Sequence, residues 1–130
     1  MRLPDAVPMN RFRPNIVIDG TEPAWAEDTW QSITLTGEPN RAMVFQSLKP
    51  SNRCKVITTN QATAEVGKEP LVTLMSFRSG KALGWTAADQ WRNAVFFGWN
   101  LGADATGMVA VGDELTVTKT RPSFVAALVA

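Results

Sequence analysis

Histidine is absent from this 130-residue chain, and cysteine occurs once, at Cys54. Without histidine, the usual zinc, haem and triad chemistries lose their commonest ligand or base. A lone cysteine excludes an internal disulfide and any zinc site built on paired cysteines. A marked excess of charge of either sign is also missing: thirteen Lys and Arg stand against twelve Asp and Glu. The basic excess of nucleic-acid binders and the basic face of proteins held on anionic lipid are therefore absent, and neither nucleic acid nor membrane is expected as a partner. No apolar run approaches the roughly 20 residues of a membrane helix. The opening MRLPDAVPMNRFRPN carries prolines and acidic Asp5 but no apolar stretch, so no signal peptide is visible. A reducing cytoplasm is the expected location, and a free thiol agrees with it.

What is present is ordinary in bulk. Apolar content near half and charge near a fifth belong to a folded globular chain, and the length suits one domain with one core. Short β-rich segments separated by Gly, Pro and Asn predict strands over Ile16–Asp19, Ser32–Thr36, Arg41–Leu48, Cys54–Thr59 and Asp113–Thr118. Phe124–Val129 reads as an edge strand or a loosely packed tail. One helix is predicted after Pro70, where Glu69 adds a favourable charge and Leu71, Leu74, Met75 and Arg78 follow a 3.6-residue period before Gly80. Thr86–Trp91 offers a short helical turn with Thr86 and Asp89 at capping-box spacing. The fold class is mostly β, a sandwich or barrel with one or two short helices; a closed barrel would leave no strand edge exposed.

Four segments carry candidate chemistry. In RFRPN, an extended backbone would put Arg11 and Arg13 on one face and Phe12 on the other, giving two guanidinium forks for a phosphate. The plainer alternative is a solvated face over a buried Phe12. In SNRC, a loop of Pro50, Ser51 and Asn52 feeds a β-rich run and places Cys54 where loop becomes strand. Lys49, Arg53 and Lys55 surround it, and cations favour the metal-binding thiolate; the alternative is a small buried hydrophobe. In FFGWN, Gly98 signals a bulge or a close approach, with Trp99 and Asn100 lining a pocket, or else two core phenylalanines and a turn. EPAWAEDTW holds Glu22, Glu27 and Asp28 at no fixed separation, and reads best as a helical turn whose Trp25 and Trp30 pack inward.

The order RFRPNIVIDG, AEDTW, SNRC with VITT, GKEPLVTL, FGWN and VGDELTV resembles the MOSC domains, in the branch of the amidoxime-reducing components and the C-terminal domain of molybdenum cofactor sulfurase. The likeness runs from Asn10 to about Val117. It implies a MOSC-type β-barrel that holds molybdenum through a pyranopterin cofactor, and carries with it the family terms of molybdenum-ion and pyridoxal phosphate binding. The cysteine closing the CSRC-type motif matches Cys54, the implied metal ligand. The implied cofactor-binding residues are Arg11, Arg13 and Asn15 of RFRPN, Asn52 and Arg53 beside the ligand, and Asn100 after the FGQ-like segment. Ser51 replaces the motif's first cysteine, Asn52 a small residue, and Trp99 a glutamine; residues 79–94 match no pattern of the family. Family members of this type open with a separate β-rich domain and further strands ahead of RFRPN, so the chain is expected to be a single MOSC domain, 1–130, incomplete at its N-terminus. The implied activity is reduction of N-hydroxylated small molecules to amines, with electrons from a separate donor protein. Alternatives are a non-catalytic carrier of sulfur or of the molybdenum cofactor, with Cys54 as carrier thiol, and a truncated remnant that binds no cofactor.

Overall fold

A computed structural model describes residues 7–128; Asp5 and Val129, named above, lie outside them. Four strands form one sheet: β1 Trp30–Gly37, β2 Arg41–Arg53, β3 Val95–Ala103 and β4 Glu114–Thr120, in the order β3-β2-β1-β4. Two helices accompany them, α1 Leu71–Arg78 and α2 Phe124–Leu128, with 3-10 turns at Met9–Phe12, Ala26–Thr29 and Lys55–Thr58. The mostly-β expectation holds. Among the described residues the sheet stays open, with β3 and β4 as its edges, so barrel is a loose label for it.

The chain divides into two compact units, one of residues 7–19 and Ser51–Phe97, the other of Gly20–Pro50 and residues 98–128. The second unit holds most of the sheet. Alternation along β1 sends Ile33 and Leu35 to one face, and register completes the rows: Ile33 lies opposite Phe45 on β2 and Val117 on β4, Leu35 opposite Met43 and Leu115. Ile33, Leu35 and Phe45 are buried, each worth roughly 2 kcal/mol of transfer free energy, and cross-strand pairing of such side chains is what stabilises a sheet. Trp30 packs against this cluster and Ala26–Thr29 is a 3-10 turn, as its sequence suggests; Glu22 is exposed and Glu27 and Asp28 are half-buried. The tail Phe124–Leu128 is helical rather than an edge strand. Phe124 and Ala127, three apart on one helix face, are both buried there.

In the first unit α1 forms where its apolar period predicts. Glu69 Oε2 accepts the Thr73 N–H at 3.0 Å, satisfying a donor of the first turn. Ser79 resumes an extended backbone and bridges to Val95. Leu74 and Arg78, four apart, face inward. Two expectations fail here. Ile16–Asp19 is irregular, with Ile16, Val17 and Ile18 all exposed. Thr86–Trp91 forms no helix but bends at 87–89 and a turn from 90, because Asp89 does not cap a helix: its Oδ1 accepts from Trp85 Nε1 at 2.7 Å and from the Trp91 N–H at 2.9 Å. No helix among the described residues is long and apolar enough to cross a membrane.

Candidate functional site

Cys54 sits where β2 ends. Strand pairing continues through Ser51, Asn52 and Arg53, Cys54 keeps extended dihedrals (φ −107°, ψ −173°), and Lys55–Thr58 then wind into a 3-10 turn. The expected order, loop and then strand, is reversed. The β-branched run Val56–Thr59 loses its strand because local bonds compete with a ladder. The Ile57 N–H donates to the Cys54 carbonyl at 3.3 Å, and the Thr58 hydroxyl donates to the Lys55 carbonyl at 2.6 Å. Burial decides the contest: Ile57 and Thr58 are 1% and 3% exposed, in a turn packed against both Met9–Phe12 and α1. Cys54 itself is exposed and its thiol is free, so the alternative of a buried hydrophobe is excluded.

The RFRPN segment is not extended either. Met9–Phe12 is a 3-10 turn that ends on Arg13 in the left-handed region (φ 48°, ψ 54°), whose N–H donates to the Asn10 carbonyl at 3.1 Å. Arg11 and Arg13 therefore do not share a strand face. Phe12 is buried as expected, stacked on Phe97 at 3.7 Å between centroids and 7° between planes. Arg11 is half-buried, and its Nε is buried without a hydrogen-bond partner. Arg13 and Asn15 are exposed. Left-handed backbone at a non-glycine residue costs about 1–2 kcal/mol, and such outliers concentrate at functional sites.

Arg53 joins the two segments. Its Nη1 donates to Ser51 Oγ at 2.8 Å, its Nη2 donates to the Phe12 carbonyl, and its guanidinium carbon lies 5.8 Å from the Phe12 ring centroid. Partial burial pulls the Arg53 pKa below its ordinary value, while the Cys54 sulfur acts in the opposite sense. Lys49, Asn52 and Lys55 are exposed nearby in sequence. The first unit thus brings together a solvent-facing thiol, a neighbouring guanidinium fixed on neutral acceptors, and a turn carrying two more arginines. Sequence reasoning missed Ser51 as the acceptor for Arg53, Phe97 as the stacking partner and Arg78 as a buried cation. Arg78 is 3% exposed and its Nε donates to the Phe96 carbonyl at 3.2 Å; its helical period had marked an inward position without revealing the bond.

Asn100 and Trp99 belong to the second unit. Asn100 is exposed on β3. Trp99 meets Phe124 edge-on at 6.0 Å, and Arg121 lies over its ring at 4.8 Å, so its faces serve packing. Gly98 takes φ +79°, the unusual backbone its place between bulky residues suggested.

The donor set suits a particular kind of metal group. Among the described residues no three of His, Cys, Asp and Glu cluster to form a cage, so a metal held here would take one soft sulfur from the protein and bring its other donors with it. The buried, unpartnered Arg11 Nε and the exposed Arg13 suit an anionic carrier of such a metal. A dithiolene-bearing pyranopterin meets both conditions.

A family model of the MOSC domain matches residues 1–116, and the chain belongs to that family. It is similar to mitochondrial amidoxime-reducing component 1 of Xenopus laevis, 34% identical over 115 residues, which covers 88% of this chain and 31% of the relative. Mitochondrial amidoxime reducing component 2 of Rattus norvegicus is 35% identical over 119 residues, with coverage of 88% and 31%. Molybdenum cofactor sulfurase of Oryza sativa subsp. japonica is 42% identical over 73 residues, covering 55% of this chain and 8% of the relative. The chain thus spans less than a third of the length of these relatives.

Proposed function

We propose that the chain is the cofactor-holding MOSC module of a molybdenum oxidoreductase that reduces N-hydroxylated compounds to amines, drawing electrons from a separate donor protein. The observation that carries this reading is the exposed Cys54 thiol beside an Arg53 that is anchored on Ser51 and on the arginine-bearing turn. The names of the amidoxime-reducing relatives support the substrate class. When bound, the pyranopterin group supplies a metal that changes oxidation state, chemistry no side chain here offers. Cys54 would donate the protein's sulfur to that metal. Arg11 and Arg13 would meet the anionic end of the group, with Asn15 and Asn52 as neutral partners; Asn100 is carried by its place in the family's pattern. A pyridoxal phosphate would address the same arginines through its phosphate.

A second reading, a carrier that holds sulfur on Cys54, is favoured by the same exposure together with the sulfurase relatives. Molybdenum content and fluorescent pterin oxidation products, measured on the purified chain and on Cys54→Ala, separate the readings. Metal and pterin in the parent, with metal lost in the variant, support the oxidoreductase module. Sulfane sulfur transferred to Cys54 from a small-molecule persulfide, which leaves as its thiol, without metal uptake supports the carrier. A folded chain that takes up neither defeats both.

A further inference from the structure

We propose that Arg53 is a positioning residue: its guanidinium ties the arginine-bearing turn to the thiol-bearing end of β2, and Ser51 and the Phe12–Phe97 stack aim it. The proposal takes from the reading above the role of Cys54 and nothing else. Ser51 and Arg53 are two apart on a strand, so their side chains leave the same face, and the Ser51 hydroxyl accepts from Nη1 at 2.8 Å. Nη2 donates to the Phe12 carbonyl, a group of the other segment. The Phe12 ring is held against Phe97 at 3.7 Å, nearly parallel, which leaves that carbonyl little freedom. Both acceptors are neutral, so the fork is occupied without its charge being cancelled. A planar fork serves two diverging acceptors at once, whereas an ammonium group on a flexible stem does not hold both directions. Arg11 and Arg13 flank Phe12, so the bond that fixes the Phe12 carbonyl fixes where these two cations stand relative to Cys54. Arg53 then acts on an anionic ligand chiefly through its neighbours, and Ser51, where the family's motif has cysteine, is the residue that directs it.

The test uses two aromatic disulfides, one anionic and one neutral, reacting with Cys54 in the full chain at low salt. Both consume the same thiolate, so the quotient of their rate constants cancels the thiolate fraction, and its change from parent to variant, in which the reagents' own reactivities also cancel, reports the change in attraction of an anion to the site. Arg53→Lys keeps the charge and loses the fork; the quotient falls about threefold, the Coulombic effect of displacing one cation by several ångström in water. Ser51→Ala lowers it in the same direction, and Ser51→Thr restores it. A parental quotient in either Arg53→Lys or Ser51→Ala overturns the proposal. If circular dichroism shows Arg53→Lys unfolded, the Ser51 pair decides alone. Molybdenum content is read first and the rates are taken after any metal has been removed, so that Cys54 is free: a chain that held no metal and whose quotient falls in the variants keeps this inference and defeats the proposed function, and a chain that held metal and shows parental quotients in the variants once stripped does the reverse.

Discussion

Arg41 and Asp113 are joined by two parallel hydrogen bonds, Nη1 to Oδ2 and Nη2 to Oδ1, each 2.7 Å long, across 72 residues of sequence. The same two side chains close the loop ahead of β4: Arg41 Nη1 also donates to the Met108 carbonyl at 3.2 Å, and Asp113 Oδ2 accepts the Ala110 N–H at 2.9 Å. Gly37 leaves the room, since a Cβ there would stand 2.2 Å from Asp113 Oδ1 and 2.3 Å from Arg41 Nη2.

The Arg41 hydrogen bonds, with help from the Ala110 N–H, hold the Asp113 carboxyl below its ordinary pKa. A depressed folded-state pKa contributes stability above the unfolded-state value, and that contribution is lost as pH falls through the folded value. The thermal midpoint of the parent should therefore exceed that of Asp113→Asn near neutrality, with the gap closing below about pH 4. Gly37→Ala should lower the midpoint of the parent, because its Cβ would push apart the Asp113 carboxylate and the Arg41 guanidinium. A gap that persists unchanged into strong acid would contradict the assignment.

Arg13 holds a left-handed backbone with an exposed side chain. Arg13→Gly should raise stability by up to about 1 kcal/mol, the relieved strain less the added chain entropy. It should also weaken retention of an anionic cofactor by about tenfold or more, the equivalent of one charge-assisted contact. Denaturant titration and molybdenum content, taken on the same preparation, read the two effects. A loss of stability together with full cofactor retention would show that the arginine is kept for folding.

Gly80 opens a turn and carries a close approach as well. A Cβ there would lie 1.8 Å from the Trp91 carbonyl oxygen, on a backbone already tied by the Gly80 N–H to the Ala94 carbonyl at 2.9 Å. Gly80→Ala should cost about 1–3 kcal/mol in urea denaturation, since the obstacle is main chain and has little freedom to yield. A parental unfolding midpoint would show that segments 79–85 and 91–94 separate freely.

Much of the local structure was legible. Alternation marked β1 and β4, and the period of Leu71, Leu74, Met75 and Arg78 marked α1, although of these only Leu74 and Arg78 are buried and Met75 is exposed. Three segments misread as extended share a cause. Ile16–Asp19, Val56–Thr59 and Phe124–Leu128 are rich in residues suited to strands, yet one is exposed coil, one a 3-10 turn and one a helix. Strand propensity describes a side chain fitted to a neighbouring strand, and these segments find none beyond the single bridge of Thr59 to Val66. At the site, Cys54 and the cations near it could be read from motif order, but the backbone that presents them was misjudged twice, at Arg13 and at Cys54.

Sequence alone settled the inventory: one thiol, no imidazole, balanced charge, and a motif order sufficient to expect a MOSC domain. Those are properties of which side chains exist, and they survive any error in secondary structure. Only the tertiary structure decided that Arg53 spends its hydrogen bonds on Ser51 and Phe12, that Cys54 faces solvent, and that Arg78 is buried. Each of these depends on which acceptor another segment brings within about 3 Å, a distance that no pattern along the chain encodes.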